Sequence, residues 1–154
     1  MRLLRILLLL LLPLASFSQL VGKVVSIADG DTFTMLVNHK QMKIRLHGID
    51  CPEKRQDFGM VAKQFLSDNI FEKIVTVNEM NTDRYKRIIG MVFIHGANIN
   101  EKLLQAGLAW HYKTYDKNPA WARLENDARN SKRGLWLQPN AMAPWEFRKL
   151  ARSR

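Results

Sequence analysis

Cysteine is almost absent from this chain. Its 154 residues include one, Cys51, so an internal disulfide is excluded and the fold must rest on its apolar core. A lone thiol beside Pro52 could in principle be a nucleophile, although a single cysteine in an exported protein more commonly serves packing. Zinc-ligand spacing is missing as well, because the four histidines are scattered and none pairs with a cysteine. Internal repeats and low-complexity linkers are absent after residue 18, and the length suits one domain. Acidic residues are the scarce charge. Fourteen Asp and Glu face 24 Lys and Arg, a formal net charge of +10, and such a surplus implies a polyanionic partner, either nucleic acid or an anionic membrane surface. Charge alone does not separate these from a merely soluble basic protein.

Long apolar runs are confined to the N-terminus. Arg2 and Arg5 precede an apolar stretch from Ile6 to Leu14, and Ala15, Ser16, Phe17 and Ser18 then supply a small-residue cleavage pattern. Residues 1–18 are expected to be a secretory signal peptide, cut near Ser18–Gln19, with a secreted or periplasmic mature chain. An uncleaved anchor is the alternative, but a membrane span needs roughly 20 apolar residues. With no cysteine after the run, a lipoprotein is not expected.

Residues 19–154 then read as a single domain. Leu20–Ala28 is rich in valine and isoleucine, Asp29-Gly30 is a hairpin-turn dipeptide whose glycine tolerates positive φ, and Thr32–Val37 is a second strand. After a turn at Asn38-His39-Lys40, Met42, Ile44 and Leu46 alternate with Gln41, Lys43, Arg45 and His47, a half-buried third strand ended by Gly48. Apolar residues at helical spacing predict a helix from about Met60 to Asn69. Two further strands are predicted at Lys73–Val77 and Arg87–Ile94, with Asn81 to Arg84 in the turn between them. Ile99, Leu103 and Ala106 mark a second helix stopped by Gly107. Asn118 and Pro119 start a third, with Lys132 and Arg133 in its last turn and Gly134 beyond. The expected class is α+β, mainly β: a five-stranded OB-fold barrel with three helices.

Two acidic pairs stand at strand ends, Asp29 with Asp31 and Asp50 with Glu53. Each could be a solvated turn former. If they converge, however, their mutual repulsion calls for a cation, and hard oxygen donors favour Ca²⁺ or Mg²⁺ over zinc. Arg45 and Arg87 could each be surface salt-bridge partners. Beside a carboxylate-bound metal, their planar guanidiniums would form a phosphate clamp.

Asp29-Gly30-Asp31-Thr32 and the run from Arg45 through Glu53 resemble the two signature segments of the staphylococcal nuclease (thermonuclease-like) family. Thr82 to Arg87 is similar to the family's third segment. Asn100-Glu101, Gly107-Leu108-Ala109, Arg133 to Trp136 and Pro144-Trp145-Glu146 are similar to its helical half. The resemblance covers the whole mature chain. It implies hydrolysis of phosphodiester bonds in DNA and RNA, with the 5′-oxygen–phosphorus bond cleaved to leave 3′-phosphates. Asp31, Asp50 and the backbone carbonyl of Cys51 would hold the metal, Ca²⁺ with Mg²⁺ or Mn²⁺ as alternatives, and Asp29 would stand behind them. Glu53 would activate or orient water, and Arg45 and Arg87 would hold the scissile phosphate. Arg84 and Tyr85 would touch a terminal phosphate, while Tyr115, with Tyr112 sharing the role, would contact nucleotide. The mature chain would act as a monomer without a stable protein partner or membrane attachment.

Two departures stand out. The loop from Lys54 to Phe58 is shorter than in the type enzyme, and the tyrosines after Gly107-Leu108-Ala109 are three apart instead of two. Trp121, Trp136 and Trp145 are expected in the core, and His47 and His111 as bystanders, with substrate contact the alternative for His111. The competing reading is a non-catalytic OB module that only binds nucleic acid. It predicts loss of the acids and arginines, all of which are present here.

Overall fold

The computed structural model describes residues 19–153; the expected leader, residues 1–18, lies outside the described residues. Along the chain run β1 (Gln19–Asp29), β2 (Thr32–Val37), β3 (Lys40–Leu46), β4 (Ile49–Asp50), α1 (Gly59–Ile70), β5 (Ile74–Thr82), β6 (Ile88–Ile94), β7 (Ala97–Asn98), α2 (Ile99–Gln105), β8 (Trp110–His111), α3 (Pro119–Asn130), a 3-10 turn (Gly134–Leu137) and α4 (Pro144–Arg152). The β-branched residues of β1 and β2 and the apolar–polar alternation of β3 produce the expected antiparallel meander. β1 pairs on its other side with β5, and β5 with β6. β6 then closes on β3 in parallel register, Ile44 opposite Ile88 and Arg45 opposite Ile89. The five long strands therefore form a closed barrel, which leaves no sheet edge open among them.

The barrel is filled by the inward faces of these strands, with Val24, Phe33, Met35, Ile44, Val77 and Val92 all fully buried. Helix α1 seats Ala62, Leu66 and Ile70 on this core, and α2 adds Leu103 and Leu104. Buried Asn100 joins the two halves. Its Oδ1 accepts the Val92 N–H at 3.0 Å and its Nδ2 donates to the His47 carbonyl at 2.9 Å, so β6 and the exit of β3 are held by one side chain.

Several boundaries differ from expectation. Among the described residues there are four helices, the additional one being α4, whose first residue is Pro144 but whose preceding Ala143 offers no side-chain cap, so only half of the usual start signal is present. Helix α3 ends at Asn130. Lys132 takes a left-handed φ of 50° after it, and Gly134 opens the 3-10 turn. β5 extends through Asn81 and Thr82 because they pair with Ile89 and Ile88. The Asn38-His39 turn has φ of 48° and 64° as a tight hairpin requires. Gly30 is different: its φ is not positive, and a Cβ there would lie 2.7 Å from Ala62 Cβ and 2.8 Å from Cys51 Cβ. Glycine is needed at that turn for close packing and not for a left-handed backbone.

Candidate active site

The first hairpin turn and the exit of β3 meet at one end of the barrel. Asp31 Oδ2 accepts the Cys51 N–H at 2.8 Å, and its Oδ1 accepts the Thr32 hydroxyl at 3.1 Å. Arg45 belongs to the polar face of β3, yet its guanidinium is buried between two carboxylates. NH1 pairs with Asp31 and NH2 donates to Asp50 Oδ1 at 2.8 Å. Asp29 Oδ1 accepts the Asp31 N–H at 3.2 Å from behind. Asp29, Asp31, Arg45, Asp50, Cys51 and Glu53 are thus brought together as the sequence implies.

Burial sorts the carboxylates. Asp50 is 1% exposed and Asp31 5%, whereas the Glu53 side chain is 39% exposed. Burial and the neighbouring Asp31 charge push Asp29 up to about 6. Burial would raise Asp31 too, but the Arg45 charge and the Cys51 N–H outweigh it and hold Asp31 below the usual carboxylate value. Asp50 lies above that value, because its burial exceeds the pull of Arg148 and Arg45. Burial also pushes the Cys51 thiol well up, so it is not a thiolate at neutral pH, and the nucleophile alternative falls.

The structure adds one residue that sequence reasoning missed. Arg148, on α4, donates through NH2 to Asp50 Oδ2 at 2.7 Å and through NH1 to Glu53 Oε1 at 2.8 Å. The motif Pro144-Trp145-Glu146 marked the segment, but no local pattern pointed to an arginine meeting acids 98 and 95 positions earlier. The shortened loop after Glu53 is fastened to the same C-terminal region. Gln56 accepts the Glu53 N–H at 3.1 Å and donates to the Met142 carbonyl at 2.6 Å, while Gln138 donates to Asp57 at 2.7 Å.

A second group lies on the β5–β6 turn. Arg87 Nε donates to Asp83 Oδ2 at 2.8 Å, Arg84 donates to the Tyr85 hydroxyl at 2.8 Å, and both guanidiniums lie over the Tyr85 ring. Desolvation alone would raise Asp83, but backbone N–H groups and Arg87 together outweigh it and hold Asp83 below its usual value. The β3–β6 register sets Arg87 just before the strand adjoining Arg45. Among the described residues, Arg87 makes no contact with the buried carboxylates; its ion pair is with Asp83.

The aromatic residues form a third group. Tyr115 is 67% exposed. Tyr112 stacks on Trp145 with centroids 5.0 Å apart and planes at 14°, and meets Tyr115 edge-on. Trp121 and Trp136 are buried as expected. Trp145 is not core: it is half-buried, leaning on Tyr112 and the edge of Trp110, since α4 packs on the surface. The histidines are not all scattered in space either. His111 Nε2 lies 2.8 Å from Asp116 and His47 Nε2 lies 3.4 Å from it, both beside Trp121. They brace the β3 exit against the segment before α3.

The donor set can be weighed against a hard cation. Four carboxylates face two guanidiniums, Arg45 and Arg148, which leaves negative charge unmatched, and every side-chain donor is oxygen. No group of three or more His, Cys, Asp or Glu side chains disposed to hold a metal occurs among the described residues. The expected donors, Asp31, Asp50 and the Cys51 carbonyl, are all oxygen, the type that Ca²⁺ or Mg²⁺ accepts and zinc does not favour.

Comparison with known proteins gives the family. Residues 43–138 match the family described as staphylococcal nuclease homologue. The chain is 38% identical over 156 residues to a micrococcal nuclease of Shigella flexneri, covering 94% of this chain and 89% of that protein. It is 41% identical over 128 residues to an uncharacterized endonuclease of Escherichia coli, covering 82% and 84%. It is 38% identical over 150 residues to protein ParB of Escherichia coli, covering 90% and 85%.

Proposed function

The chain belongs to the staphylococcal nuclease homologue family, and from that membership we propose a metal-dependent hydrolysis of phosphodiester bonds in DNA and RNA. Its class is nuclease, a phosphodiesterase among the hydrolases. In the proposed chemistry, water attacks phosphorus and the 5′-oxygen–phosphorus bond breaks, leaving 3′-phosphates. The observation that carries the reading is the meeting of Asp31 and Asp50 on Arg45 at one end of the barrel, with Glu53 joined to Asp50 through Arg148.

Asp31, Asp50 and the Cys51 carbonyl would hold the cation, Ca²⁺ before Mg²⁺ or Mn²⁺, with Asp29 fixing the Asp31 backbone. When bound, such an ion supplies Lewis-acid charge at a non-bridging phosphate oxygen and a template for water. Glu53, the solvent-open carboxylate of the group, takes or steers the water proton. Arg45 and Arg87 strengthen their hold as negative charge builds on phosphorus. Arg84 and Tyr85 bind a flanking phosphate. Exposed Tyr115 offers a ring face to nucleotide, with Tyr112 beside it. The mature protein is proposed to be secreted or periplasmic and to act as a monomer on nucleic acid, with no stable protein partner.

Single-turnover cleavage of an oligonucleotide tests the assignment. Glu53→Gln should leave affinity similar and lower kcat by about 10²–10⁴. Arg87→Lys keeps the charge but loses the fork, so kcat should fall more than affinity. Wild-type rates in both folded variants would refute these roles. A binding module would show no turnover in any variant, with or without added calcium.

A further inference from the structure

Helix α4 was not expected from the sequence, yet it touches the centre of the site. Its fastening is explicit. Trp145 stacks on Tyr112 and meets the edge of Trp110, and Trp110 itself lies opposite Asp50 in the β4–β8 ladder. One turn further on, and so on the same face of the helix, Arg148 reaches the carboxylates. Its two terminal nitrogens divide between them: NH2 takes Asp50 Oδ2 at 2.7 Å, and NH1 takes Glu53 Oε1 at 2.8 Å with a longer contact to Asp50 Oδ1 at 3.3 Å. A single planar fork thus sets the distance and orientation between a buried acid and an open one. Asp50 is rigid, being buried and bonded to Arg45 as well. Glu53 is different: Arg148 is the one side chain among the described residues that bonds its carboxylate.

We propose that Arg148 is a positioning residue of the nuclease site, holding the Glu53 carboxylate in register with Asp50 so that it meets the attacking water. The inference rests on the proposed role of Glu53. Arginine fits this task and lysine does not, because two carboxylates must be bridged at once in a fixed plane, whereas an ammonium is a single point charge. Holding a general base matters because misplacement of about 1 Å can cost on the order of 10²-fold in rate. The Gln56–Met142 and Gln138–Asp57 bonds serve the same end, tying the backbone that bears Glu53 to the segment that bears Arg148. The site is then completed only when the C-terminal segment has docked on the barrel.

The test is a double-mutant cycle of Glu53→Gln and Arg148→Met in the full mature chain, with Arg148→Lys as the conservative variant. Circular dichroism checks folding, and affinity for a single-stranded DNA oligonucleotide is measured in chelator, where no cleavage competes. Arg148→Met should lower kcat by about 10–10²-fold while oligonucleotide affinity and KM stay within about threefold. Arg148→Lys should recover less than about a third of the lost rate. The double variant should be no slower than Glu53→Gln alone, since a positioned base that is gone has nothing left to lose. A purely structural role would give additive losses, and a phosphate contact would give a drop in affinity of tenfold or more; either result overturns the proposal. Full activity in Glu53→Gln would sink the underlying assignment instead. Loss in Glu53→Gln with wild-type kcat in folded Arg148→Met would sink this inference alone.

Discussion

Replacing Arg45 with methionine tests the electrostatic design of the site without any substrate. Arg45 is the shared counter-ion of Asp31 and Asp50, residues that are 5% and 1% exposed. Methionine keeps much of the apolar stem and removes the charge. Asp31 would retain the Cys51 N–H and the Thr32 hydroxyl but no cation, while Asp50 would retain Arg148. Removing one partner of a buried ion pair typically costs about 3–5 kcal/mol. With Arg148 still on Asp50, the lower end applies, about 3 kcal/mol. For a domain of this size that corresponds to a fall in Tm of roughly 10–15 °C. Urea unfolding followed by circular dichroism, in chelator at pH 7, measures it. Adding Asp50→Asn to Arg45→Met should return about 1–2 kcal/mol, because one of two opposed buried charges is then gone. Added calcium should raise the Tm of Arg45→Met by more than it raises that of wild type. If Arg45→Met unfolds within 1 kcal/mol of wild type in chelator, the carboxylates do not depend on Arg45 and the account of the cluster is wrong.

Asp116 is held below its usual carboxylate value: its partial burial would raise it, but the Asn118 N–H, His111 and His47 outweigh that. Asp116→Asn should therefore lose about 1–2 kcal/mol at pH 7. A depressed carboxylate contributes above its unfolded value and stops contributing as pH falls through its folded one, so the gap should close toward pH 3 in paired denaturation curves; a gap independent of pH would argue against the ionic role. At Gly59, an added Cβ would lie 1.9 Å from the Glu53 carbonyl oxygen. Gly59→Ala should thus shift the Glu53 loop, with about 1–3 kcal/mol lost in urea unfolding and a lowered cleavage rate; unchanged values of both would show that the loop gives way freely. Intact mass of the exported protein should begin at Gln19, and a mass retaining residues 1–14 would favour an uncleaved anchor.

Much of this architecture is visible in local pattern because it is encoded locally. Alternation in Gln41–His47 gives β3, Asn118 and Pro119 start α3 as written, and the left-handed Asn38-His39 turn joins β2 to β3. Asp29, Asp31, Asp50, Glu53 and Arg45 could likewise be named as candidates from their order and spacing. What pattern could not supply depends on contacts between distant segments. Gly30 reads as a turn former, but its necessity comes from Ala62 and Cys51 pressing on it. Asn81 and Thr82 look like turn residues, and they become strand because Ile88 and Ile89 are there to pair with them. His47, just after β3, and His111, in β8, become neighbours only when both reach Asp116. Arg45 lies on a polar strand face that predicts exposure, and the folded carboxylates draw it inside. Arg148 is the extreme case. Its helix lacks an N-terminal side-chain cap and its partners lie nearly a hundred residues away. Hydrophobic period and turn chemistry act over a few residues, so the barrel strands and the residue types able to carry the chemistry are legible along the chain. Which carboxylates are buried, which arginine neutralises each, and that a C-terminal helix reaches them are set only by the closed fold, because burial and charge pairing belong to surfaces that exist only after the chain has closed.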